Sequence, residues 1–202
     1  MTEWIKEYWY LLIVLVLVSV VAAVIMRFAA KAYRKRMAFY KAEEANIKRL
    51  VALKEKFRPV TEEAIMSADD SELLEGIALA YQLKLQKAEK IEQEFELLND
   101  DIKDIYALDV FVQDKTSKEF FSQNGEILKK RIVPALVKIG MQDLADILSP
   151  IYDMYDNNNE DVSYDLKKIE ETDKKLAEGA YYEQIKLRSA EYIRKNFECF
   201  IN

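Results

Sequence analysis

LNDDIKDIYALDVFVQD, residues 98–114, decides the fold class. Asn99 and Asp100 are residues that cap helices, and Asp100 and Asp101 place negative charge where a helix N-terminus favours it. Ile102, Ile105, Tyr106, Asp109 and Val110 follow at steps of three and four, the spacing of one helix face. The same period extends in both directions. Asp69, Asp70 and Ser71 offer a cap before one long helix that carries Leu73, Ile77, Ala80, Leu83, Lys84, Ala88, Ile91, Phe95 and Leu98. Downstream, Phe120 and Phe121 sit in a short helix stopped by Asn124 and Gly125. A helix over 126–139 follows, with Gly140 as its C′ residue. Pro134 predicts a kink or a fresh start within it. A further helix over 143–155 contains Pro150, and two helices, about 164–178 and 180–200, are separated by Gly179. No stretch alternates with period two for long enough to make a strand, and the 202 residues contain only four Gly and three Pro. The fold class expected is all-α.

Toward the N-terminus the character changes. Residues 9–26 read WYLLIVLVLVSVVAAVIM, with no charge and with Ser19 the one clearly polar side chain. As a helix they would span about 27 Å, close to the hydrocarbon thickness of a bilayer. Trp4, Tyr8, Trp9 and Tyr10 gather at one end, as rings do at lipid headgroups. The expectation is a single transmembrane helix from Trp9 to Met26. Arg27, Lys31, Arg34, Lys35 and Arg36 follow it, whereas Glu3, Lys6 and Glu7 precede it. Positive charge on the C-terminal flank argues against a cleaved signal peptide. It predicts an N-terminus outside the cell membrane and a C-terminal domain in the cytoplasm. The basic residues can also meet anionic headgroups. The domain reading is an anchor with flanks over 1–30, a helical stalk over 31–58 ending near Pro59, and an acidic multi-helix bundle over 59–202.

Charge and composition narrow the function. Residues 1–40 hold six Lys/Arg against two Asp/Glu, a net +4, and the remainder carries −10. No Lys or Arg occurs between Lys138 and Lys167, where Asp143, Asp146, Asp153, Asp156, Glu160, Asp161 and Asp165 fall. Such a run is either a solvated face or a surface that repels nucleic acid and attracts a basic protein. The chain has no His, which removes Ser-His-Asp and Cys-His hydrolases and His-containing zinc sites. Cys199 is the one cysteine, so no intrachain disulfide forms, and it reads as a small apolar residue. A calcium loop at Asp156, Asn158 and Glu160 fails, because Asp161 stands where Gly is needed and Lys167 where the bidentate Glu belongs. Asp100, Asp101, Asp104 and Asp109 are the carboxylates that a metal-dependent hydrolase could use. Their simpler reading is capping and helix-dipole charge. No cofactor is expected.

The stretch at 98–114, with KEFFSQNGE (118–126), IVPALVKIGMQDLADILSPIYDMYD (132–156) and SAEYIRKNFECF (189–200), resembles an all-helical bacterial family whose best-known member is a DNA-mimic protein. The likeness covers about 59–202 and is clearest at Glu119-Phe120-Phe121, Ile139-Gly140-Met141 and Tyr192-Ile193-Arg194-Lys195-Asn196. Where that family commonly carries Asn-Gly-Gly-Phe, this chain has Asp114-Lys115-Thr116-Ser117. The resemblance implies a helical fold that can dimerise and an acidic surface able to occupy a DNA-binding protein. Together with the charge pattern it gives the functional expectation: a membrane-tethered, non-enzymatic module that binds a basic protein partner and no nucleic acid. The alternatives are a structural or envelope anchor that self-associates through its stalk, and a carboxylate/metal hydrolase.

Overall fold

The computed structural model describes residues 2–155 and 164–201, apart from the side chains of residues 2–13, 16 and 20–23. Among the described residues there is no strand, so the fold is all-α as the period predicts. The chain divides into two compact units, Met1–Val51 and Ala52–Asn202.

The first unit is helical over all its described residues, the leading part of α1 (Thr2–Lys56). Its described apolar side chains other than the half-buried Leu50 are exposed, among them Leu15 63%, Val18 60%, Ile25 61% and Met26 65%. Among the described residues no helix is long and apolar enough to cross a membrane. Much of the expected span from Trp9 to Met26, including Trp9 itself, lies outside the described side chains.

The second unit begins with the end of α1, where Leu53 and Phe57 are buried. Arg58-Pro59, a cis peptide, and Val60 lead to the short α2 (Glu62–Met66), capped by Thr61, whose Oγ1 accepts from the Ala64 N–H at 3.2 Å. The Asp69 carboxylate caps α3 (Asp70–Leu85) through the Ser71 N–H at 3.0 Å. The long helix expected to Leu98 is broken here. Residues 86–90 turn, and α4 (Ile91–Leu97) starts afresh. Gln86 to Lys90 offer no large apolar side chain to bury, and a helix that buries no face has little tertiary reason to continue. Ile91 consequently lies exposed at 55%, whereas Phe95 packs edge-on against Tyr106 with centroids 5.7 Å apart.

Asn99 ends this segment and caps α5 (Asp100–Asp114), accepting from the Ile102 N–H at 2.8 Å. Helix α5 is the hub. It buries Ile102, Ile105, Ala107, Leu108 and Phe111, and even Lys103, Asp104 and Asp109. It packs on α3 and on α7 (Glu126–Lys138), and also meets α6 (Ser117–Gln123) and α10 (Tyr181–Lys195). Helix α10 lies along α3, and α8 (Gln142–Tyr155) lies along α7. Helix α9 (Leu166–Glu178) touches α6, α8 and α10, and a 3₁₀ turn, Phe197–Cys199, follows α10.

Pro134 and Pro150 both lie inside their helices, so Pro134 gives no fresh start. Gly140 is the C′ residue expected, with φ +77°. Its N–H donates to Val137 O at 3.0 Å and that of Met141 to Leu136 O at 2.8 Å. These are the paired bonds of a Schellman motif, closed by the buried side chains of Leu136 and Met141.

Candidate functional site: an acidic stripe and a paired charge network

The four described acidic positions fall on two elements, α8 and the start of α9. Asp156, Glu160 and Asp161 lie outside the described residues. Asp143, Asp146 and Asp153 fall on α8 at steps of three and seven, which sets them along one helix face over about 15 Å. Asp143 and Asp146 are exposed and Asp153 is half-buried. The Asp146 carboxylate accepts from Gln142 Nε2 at 2.7 Å. Asp165 works locally, capping α9 through the N–H groups of Lys167 and Lys168 at 3.0 and 3.2 Å.

The fold brings cations to this stripe that the sequence keeps apart. A cleft of about 560 Å³ between α8 and α9 is lined by Asp146, Asp165 and Glu171, and equally by Lys167, Lys168 and Lys175. The side of the stripe that faces α9 is therefore of mixed charge. Linear spacing could not show this, because the lysines come from the next helix.

The second cluster gathers the carboxylates considered for a metal. Asp104, its side chain 7% exposed, accepts from Arg131 Nη1 at 3.0 Å and from the Lys138 ammonium. Asp100 accepts from Arg131 Nη2 at 2.8 Å. Asp101 accepts from Lys138 Nζ at 3.1 Å and from Tyr192 Oη at 2.5 Å. Lys103, buried, donates to Glu96 O at 2.8 Å. The Arg131 hydrogen bond and charge hold Asp100 below the usual carboxylate range. Burial would raise Asp101, but hydrogen bonds from Tyr192 and Lys138 outweigh it and the net shift is downward. Burial and the Asp101 carboxylate push Tyr192 up to about 12. Arg131 and Lys138 are depressed by burial and raised further by their carboxylates, so both shift upward.

Each of these three carboxylates thus has a protein cation as its partner. Among the described residues no group of three His, Cys, Asp or Glu side chains could hold a metal ion. Asp109 does not join the cluster; it accepts from Gln113 Nε2 at 2.6 Å on its own helix. Burial and the nearby Glu75 raise its carboxyl to about 7.

Sequence spacing missed two features. An apolar cleft of about 420 Å³ is lined by Leu85, Ile91, Phe95, Tyr106, Ile127 and Leu128. It exists because the break before α4 leaves Ile91 outside the core. The other feature lies at 114–117. Lys115 adopts the left-handed conformation, φ 61°, and Tyr182 Oη donates to its carbonyl at 2.6 Å. Ser117 then ties α6 to α9, its N–H and Oγ both donating to Asp173 Oδ1 at 2.6 Å. Comparison with known proteins places the chain in no class: no family pattern, no curated protein and no solved structure matches it.

Proposed function

We propose that the chain is a membrane-tethered protein-interaction module, its α1 span in the cell membrane and its helical domain offering an acidic stripe to a basic protein partner in the cytoplasm. Apolar exposure on α1 supports the tether. Val14, Leu15, Leu17, Val18, Val24, Ile25 and Met26 are between 47% and 65% exposed, and water is a poor solvent for such a run. Arg27, Lys31, Arg34, Lys35 and Arg36 follow directly and favour the domain on the cytoplasmic side.

The observation that carries partner binding is the α8 stripe of Asp143, Asp146 and Asp153, together with the net −10 beyond residue 40. A DNA-binding protein is the partner that the family resemblance points to, and the same charge disfavours nucleic acid itself. The pairing of Asp100, Asp101 and Asp104 with Arg131 and Lys138 supports a non-enzymatic reading over hydrolysis.

Flotation of the full chain with lipid vesicles tests the tether. Capture of basic DNA-binding proteins by the vesicle-bound chain tests the stripe, with wild type compared against Asp143→Asn, Asp146→Asn and Asp153→Asn combined. The expected result is capture that weakens about tenfold or more on raising salt from 50 to 200 mM and again in the triple variant. Capture indifferent to both would sink the electrostatic reading.

A further inference from the structure

The stalk part of α1 carries a pattern that the tether does not use. Ala30, Tyr33, Met37 and Tyr40 recur at steps of three and four, Ile47 and Val51 resume that spacing after Glu44, and Tyr33, Tyr40 and Ile47 stand seven apart. Tyr33 is 65% exposed, Tyr40 60%, Ile47 55%, Val51 48% and Met37 39%. A straight helix drifts about 20° per heptad from a seven-residue repeat. A stripe that keeps the repeat over three heptads therefore suits a helix wound around another helix. We propose that residues 30–51 pair with the same segment of a second copy of this chain, as a parallel, in-register coiled coil. Ala30, Met37 and Val51 form one row of its seam, and Tyr33, Tyr40 and Ile47 form the other.

The charges beside the seam choose the partner and the direction. In a parallel pair, residues five apart face each other across the seam, so Glu43 meets Lys48 of the second copy. In an antiparallel pair, Arg34, Lys41 and Lys48 would face one another, all of one sign. Arg36 and Lys41 are like charges across the parallel seam, so the C-terminal heptads contribute more than the N-terminal one. Glu44 falls within the seam, yet its Oε1 lies 2.7 Å from Lys48 Nζ on its own helix and is not an unpaired charge. A polar residue in that row costs stability and fixes register. The parallel sense also rests on the tether reading, because anchors in one membrane bring two copies together with the same end first.

The test uses the full chain in lipid vesicles, with Cys199→Ser as background and single cysteines added at exposed positions. Met37→Cys and Ile47→Cys lie in the seam, and Ala42→Cys lies on the opposite face. Under mild oxidation the seam variants are expected to give about tenfold more disulfide dimer than Ala42→Cys, since only they bring Cα atoms within bonding range. Equal yields, or no dimer from any variant, overturn the proposal. So does dimer found only on mixing Tyr33→Cys with Val51→Cys, which reports an antiparallel pair. Flotation of the same samples separates the two readings. Chains that cross-link at the seam without floating refute the tether alone, and chains that float without cross-linking refute the seam alone.

Discussion

A β-carbon on Gly76 would stand 2.2 Å from Cε2 of Phe57. The Phe57 ring, 1% exposed, therefore rests on α3 at the one position of that helix without a side chain. Glycine inside a helix costs about 1 kcal/mol relative to Ala by propensity, so close packing is the reason for it here. Gly76→Ala is expected to destabilise the domain by about 1–3 kcal/mol despite the better propensity. Phe57→Leu should relieve part of that cost when combined with it. Urea unfolding of both single variants and the double variant checks this, and strict additivity would show that the two residues do not touch.

Lys115 holds a backbone conformation that suits glycine. Its side chain is exposed and its φ is 61°. Lys115→Gly should remove left-handed strain of about 1 kcal/mol, offset in part by the greater freedom of glycine in the unfolded chain. A small rise in Tm is expected, while Lys115→Val should lower it. Thermal unfolding followed by circular dichroism reads both.

Asp104 is buried against two cations, Arg131 and Lys138. Removing either cation leaves the buried Asp104 carboxylate with one charged partner instead of two, so Arg131→Met or Lys138→Met should each cost about 2–3 kcal/mol. Asp104→Asn in the Arg131→Met background should recover part of the loss, because the buried group is then neutral. A double-mutant cycle in urea measures the coupling, and a coupling near zero would refute the network.

Asp109 is 6% exposed, and its carboxyl titrates near 7 in the folded chain against 3.8 as its ordinary value. Between those values the folded state holds a proton that the unfolded state has lost, so stability falls as pH rises. The contribution is complete below about pH 3.8 and gone above about pH 7. Glu75 faces the carboxyl from α3 and raises it further, whereas Lys186 from α10 and Gln113 lower it. Asp109→Asn keeps the neutral shape, so its advantage over wild type should grow from near zero at pH 4 to on the order of 3 kcal/mol at pH 8. A difference independent of pH would show that Asp109 is ionised throughout.

Local signals were legible in the sequence where chemistry is local. Asn99, Asp69 and Gly140 cap helices as their residue types predict, and the period-three-and-four face of α5 is buried at Ile102, Ile105 and Asp109 and half-buried at Tyr106 and Val110. The long helix through Ile91 was not legible as two. Its polar turn contains no Gly or Pro, and only tertiary burial of Phe95 against Tyr106 separates the parts. The candidate site was legible as far as one helix reaches. Asp143, Asp146 and Asp153 do share a face. Lys167, Lys168 and Lys175 join them through the packing of α9, and Arg131 and Lys138 reach Asp104 from α7. Neither relation has a sequence period to announce it.

Tyr81 donates from α3 to the carbonyl of Phe200 at 3.0 Å, and Arg194 of α10 reaches back to Asp70 and to Ala68 O at 2.8 Å. These contacts set a clock on biosynthesis. The residues they join are 119 to 126 positions apart, so at roughly 5–20 residues per second α3 waits about 6–24 s for its partner helix to be made. The face of α3 that α10 covers is unpartnered for that interval, while the apolar start of α1 has already left the ribosome. The N-terminal helix of the nascent chain is thus outside the ribosome well before α10 can close on α3.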